Sequence, residues 1–96
     1  MVSSWAVAAA VLLREGRKLH YNEITDRVLK TGLTKLGTKG KTPEMTINGL
    51  LTTTKWGVQK LFKSEGEGEY SLCNKLLARS IPEVQEVIRL MGWSAG

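Results

Sequence analysis

Apolar positions recur at helical spacing four times along this chain, and each run is followed by a glycine. Trp5, Ala8, Ala9, Leu12 and Leu13 form the first stripe, on a helix predicted from Trp5 to about Glu15 with Ser4 as its cap and Gly16 as its stop. Trp5, which begins the stripe, is expected to anchor the core. After Leu19 in a short extended piece, Ile24, Val28 and Leu29 mark a second helix from about Tyr21 to Thr31. Gly32 ends it, and Leu33 can close the apolar contact that accompanies a glycine cap. The stretch from Gly40 to Val58 predicts a third helix: Thr42 caps it, Pro43 takes the first helical position, and Gly57 stops it. Its buried stripe is Ile47, Leu50, Leu51 and Thr54. The period then shortens. Val58 to Lys63 and Glu69 to Leu72 flank Ser-Glu-Gly-Glu-Gly, a β-hairpin pattern with Leu61, Tyr70 and Leu72 facing the core. Ser80-Ile-Pro-Glu83 reads as a capping box opening a fourth helix to Met91, with Ile81, Val84, Val87, Ile88 and Met91 inward and Gly92 as stop.

The polar side of the third helix is unusual. Glu44, Met45, Asn48, Gly49, Thr52 and Lys55 are short or small for the most part, in place of the Glu/Lys mixture of a solvated face. A glycine inside a helix costs about 1 kcal/mol against alanine, so Gly49 calls for close packing or a close partner. The loop before this helix, Thr34 to Lys41, is lysine and glycine almost throughout.

Charge sharpens that picture. The net charge is +5, and residues 35–63 hold six lysines against Glu44 alone, whereas residues 64–96 hold three basic residues against five acids. Positive charge gathered on one element is the footprint of a polyanion partner. Ninety-six residues make one folded unit with a modest core, and 42% hydrophobic residues argue against disorder. The single Cys73 cannot form an internal disulfide, which points to a reducing compartment. The apolar run from Trp5 to Leu13 has no basic residue before it and is too short to span a bilayer. The expectation is a soluble intracellular protein, in cytoplasm or nucleoid if prokaryotic and in the nucleus if eukaryotic.

No constellation for catalysis stands out. One His and one Cys exclude a His/Cys metal cluster, and no metal or cofactor is expected. Gly40-Lys41-Thr42 ends like a phosphate-binding loop, but Lys35 stands where that loop needs its first glycine. His20, at the start of the second helix, suits a capping or solvated role.

The order helix, helix, basic loop, helix, hairpin is that of a winged helix-turn-helix, and the wording resembles the HARE-HTH family. The matching pieces are Ser4-Trp5 with Ala8, Leu12 and Leu13; Leu19-His20-Tyr21-Asn22-Glu23-Ile24; Gly40-Lys41-Thr42-Pro43 with Thr46 and Leu50; and Leu61-Phe62 with Gly68, Tyr70 and Leu72. The resemblance implies a winged-helix module proposed to bind DNA, without catalytic activity of its own. The expected fold is therefore α+β: a winged helix-turn-helix over residues 1–75, with a three-helix core and a hairpin wing, and a helical extension over 76–96. The expected contact with duplex DNA is Lys35, Lys39, Lys41, Thr42, Met45, Asn48, Gly49, Thr52 and Lys55. Asn48 and Thr52 are expected to point at base edges, since asparagine can pair with adenine bidentately. Two features depart from a DNA reader: the wing carries Glu65, Glu67 and Glu69, and the third helix has no arginine for guanine edges. They leave open an alternative in which the module docks on a protein partner through Met45, Gly49 and that acidic wing.

Overall fold

The computed structural model describes residues 2–36 and 42–93. The central element is helix α1 (Ser4–Glu15), in which every residue from Ala6 to Leu12 is buried. Four alanines in that run let neighbouring elements close on it from several sides, and α2 (Tyr21–Thr31), α3 (Pro43–Thr53), α4 (Lys75–Ser80) and α5 (Pro82–Met91) all pack against it. Between α1 and α2 lies β1 (Leu19–His20), and after α3 come β2 (Lys55–Trp56), β3 (Gln59–Lys60), β4 (Phe62–Gly66) and β5 (Glu69–Leu72). The result is an α+β unit with a small antiparallel sheet.

The predicted bounds of the first two helices agree with those observed, and Gly16, Gly32 and Gly92 all end helices. The caps are less uniform. Ser3, not Ser4, precedes α1, and it makes no side-chain cap bond. Ser4 instead shares a 2.8 Å hydrogen bond with the Thr34 hydroxyl, tying α1 to the segment after α2. Trp5 is half-buried at the edge of the core.

The third helix is shorter than predicted. Its start is as expected, with the Thr42 hydroxyl accepting from the Met45 amide at 3.2 Å and Pro43 in the first turn, but it ends at Thr53 and does not run on to Gly57. Three consecutive β-branched threonines explain this. The Thr52 and Thr53 hydroxyls turn back on carbonyls of the preceding turn, and Thr54 leaves the helix in an extended conformation while its amide still reaches the Leu50 carbonyl at 3.0 Å. Gly57 serves another purpose. With φ of +67° it makes, with Val58, the two-residue turn of a β2–β3 hairpin, in which Lys55 pairs with Lys60 and Trp56 with Gln59. The strand expected over Val58 to Lys63 is thus two strands interrupted at Leu61.

The wing is β4 and β5, and β1 adds a third strand in the order β1-β5-β4. Leu61, Phe62 and Tyr70 are buried beneath it, while Leu72 is half-buried. The register shifts between Ser64 and Gly66, so the chain bulges just before its turn. Gly68 is demanded twice over at that turn. Its φ is +77°, and a Cβ there would lie 2.7 Å from Nε2 of His20 while the Gly68 carbonyl accepts from the Tyr21 amide.

The capping box does not form. Ser80 closes the short helix α4, donating to the Leu77 carbonyl at 2.7 Å, and Ile81 precedes α5 with no side-chain cap bond. Glu83 reaches across the fold to accept from the Ser3 amide at 2.9 Å. Ile81, Val84 and Val87 are buried in the same core as α1, so α5 packs on the domain. Ile88 and Met91 are half-buried at its margin. Among the described residues, no helix is long and apolar enough to cross a membrane.

Candidate nucleic-acid interface

Helix α3 is held by its inner side and leaves its outer side open. Ile47 and Leu51 are buried and Leu50 half-buried, while Glu44, Met45, Gly49, Thr52 and Thr53 are exposed. Met45 stands out at 58% exposure. At Gly49 an added Cβ would meet nothing within 4 Å. No internal packing among the described residues therefore requires a glycine there. The position lowers helix propensity and leaves a shallow gap in the outer surface.

Asn48 is not on that outer surface. It is half-buried and turned towards the wing, where its Oδ1 accepts a 3.0 Å hydrogen bond from the Tyr70 hydroxyl on β5. The bond fixes the rotation of α3 against the sheet and engages the oxygen that pairing with adenine would use. Thr52 is exposed, but its hydroxyl is directed back to the Asn48 and Gly49 carbonyls. Lys55 is also displaced from its predicted place: it lies on β2, beyond the end of α3, and not on the helix face. Lys35 is exposed after α2. Lys39 and Lys41 lie outside the described residues.

The electrostatics divide the surface. Around α1, α2 and the sheet, basic groups are matched: Arg27 lies 2.9 Å from Glu15 and 3.7 Å from Glu23, Lys30 is 3.0 Å from Asp26, and Lys18 is 3.1 Å from Glu69. Among the described residues, Lys35, Lys55, Lys60 and Lys63 form no ion pair. The wing is less free than its sequence suggests. Glu69 is paired with Lys18, and Glu65 accepts from the Ser71 hydroxyl, which, with Lys63 and Lys18 nearby, holds its carboxyl below the usual range. Glu67 sits at the tip with a positive φ of 55°.

Two contributors escaped the sequence reading, Lys60 and the Tyr70 hydroxyl. The signal for Lys60 was available, since Trp-Gly-Val-Gln presents a glycine-led two-residue turn between β-forming residues. Nothing local announces the Tyr70 contact, which joins residues 22 positions apart. His20 behaves as expected, its Nδ1 accepting from the Asn22 amide at 3.1 Å as the cap of α2. A pocket of about 200 Å³ opens between α1, α2 and the end of α5, with Arg14 over the Trp93 ring at 4.9 Å, and none of the predicted contact residues line it. Among the described residues, no cluster of three or more His, Cys, Asp or Glu could hold a metal ion.

The sequence model of the HARE-HTH family, described as the ASXL and restriction endonuclease HTH domain, matches residues 4–74. The chain belongs to the HARE-HTH family. That match takes in α1, α2, α3, both hairpins and the whole sheet, and it makes this α+β unit a winged-helix-like domain of a DNA-binding family. In this HARE-HTH domain, α2 and α3 are the packed helix pair and β4–β5 is the wing. No curated protein and no solved structure matches the chain significantly.

Proposed function

We propose that this HARE-HTH domain binds duplex DNA and performs no chemistry on it, with α3 and the lysine segment before it as the contact. The observation that carries the reading is the division of charge: basic groups on α1 and α2 have acidic partners, whereas Lys35 and Lys55, flanking α3, have none among the described residues. Unpaired lysines at the two ends of an exposed helix suit two runs of phosphate bordering one groove.

In this reading Lys35, Lys39, Lys41 and Lys55 neutralise phosphates, and Thr42 brings the amino end of α3 to the backbone. Met45, Gly49 and Thr52 form the surface that approaches the groove. Asn48 serves mainly to orient α3 through Tyr70, with its amide nitrogen left for a polar contact. The absence of arginine from α3 favours affinity dominated by the backbone over sequence discrimination.

Titration of the domain with duplex DNA at two salt concentrations tests the proposal. Affinity should fall with salt by close to one logarithmic unit per decade for each phosphate neutralised. Absence of binding at low salt would refute it.

A further inference from the structure

The β2–β3 hairpin has two unlike faces, because successive side chains in a strand point to opposite sides. One side carries Trp56, whose ring lies 6.0 Å from that of Trp5 and so rests the ribbon against α1. The other carries Lys55 and Lys60, paired directly across the two strands. Like charges placed opposite one another on a sheet repel, and here no acid among the described residues relieves them. The hairpin is also fixed to α3. Lys55 follows the last helical residue by two positions, and the Leu61 amide closes the base of the ribbon on the Thr54 carbonyl at 3.3 Å.

Resting on the DNA-binding reading above, we infer that the β2–β3 hairpin is a second phosphate clamp, in which Lys55 and Lys60 together take the DNA backbone bordering the groove at the carboxyl end of α3. A helix lying in a groove about 12 Å wide meets a backbone strand at its ends, and this hairpin is the element that continues from one of them. The anion supplies the negative charge that the opposed lysines lack. Val58, 94% exposed at the turn, is the uncharged tip of the ribbon. The acidic β4–β5 tip is unsuited to this contact, which leaves the short hairpin as the basic ribbon of the domain.

The test is a duplex titration over a range of salt with wild type, Lys60→Ala, Lys60→Glu, Val58→Asp and, as a control away from α3, Lys75→Glu. Lys60→Ala should lower the salt slope by about one unit. Lys60→Glu should weaken binding about tenfold, while its melting temperature is unchanged or raised because a like-charge pair becomes an opposite one. Affinity falling as stability holds or rises separates lost contact from lost fold. Val58→Asp should also weaken binding, by placing an anion at the tip, and Lys75→Glu should change it no more than about twofold. If wild type binds duplex and Lys60→Glu behaves like Lys75→Glu, the clamp is overturned and the α3 reading survives. If wild type does not bind duplex, both are overturned.

Discussion

Gly49 offers the most direct test of α3 as a contact surface, because stability and binding should move in opposite directions there. The residue is inside an eleven-residue helix, is exposed, and has open space where a Cβ would go. Gly49→Ala therefore meets no steric obstacle in the free domain and gains helix propensity of about 0.8–1.0 kcal/mol. For a domain of this size that corresponds to a melting temperature higher by about 4–8 °C. The carbonyl of residue 49 accepts from the Thr52 and Thr53 hydroxyls, and both bonds survive, since the substitution does not touch the backbone. In the complex the added methyl group occupies the gap through which the partner approaches. Overpacking of a close interface costs about 1–3 kcal/mol, or about 5- to 150-fold in affinity. Circular-dichroism melting and a duplex titration on the same preparation measure the two effects. A variant that gains stability yet binds within about twofold of wild type would show that no partner comes close to this face. A variant that loses stability would refute the placement of Gly49 on the open side of α3.

Three further outcomes follow from contacts within the fold. Asn48→Ala and Tyr70→Phe should each destabilise by about 1 kcal/mol, and a double-mutant cycle should show coupling of at least about 0.5 kcal/mol, since both remove one hydrogen bond; additive effects would mean that the bond contributes nothing. Gly68→Ala should destabilise by about 1–2 kcal/mol from the left-handed backbone alone, and by more because its methyl group must displace the His20 ring; chemical denaturation giving wild-type stability would contradict that packing. Glu65 carries a depressed folded pKa, chiefly through the Ser71 hydroxyl. Its contribution is therefore present above the ordinary carboxyl value of 4.5 and is lost as pH falls through the folded value, so Ser71→Ala should flatten the acid limb of a stability-versus-pH curve.

Several features of this domain follow from the sequence alone because their causes are local. The 3.6-residue recurrence of apolar side chains defines α1, α2 and α5, and a glycine after each run ends it whatever lies nearby. Thr42 and Pro43 start α3 by the same local chemistry, a hydroxyl three residues from the amide it caps. The excess of lysine around α3 is likewise visible in the chain, as is the family resemblance carried by those motifs. Tertiary structure decided the features in which a group had a choice of partners. Ser80 and Glu83 could have capped α5 together, but Glu83 found the Ser3 amide across the fold and Ser80 was taken into α4. The Thr52–Thr54 run could have continued the helix. It turned instead into a hairpin whose two-residue strands gain support from each other and from Trp56 lying against Trp5. Asn48 could have faced outward, but Tyr70 offered it a hydrogen bond, and a half-buried amide is better satisfied by a fixed phenol than left at the edge of the core. Which lysines lack partners was settled the same way, by where folding placed the nine acids: Glu15, Glu23, Asp26 and Glu69 came to lie beside the basic groups of α1, α2 and the loop before β1, and Lys55 and Lys60 were left facing each other.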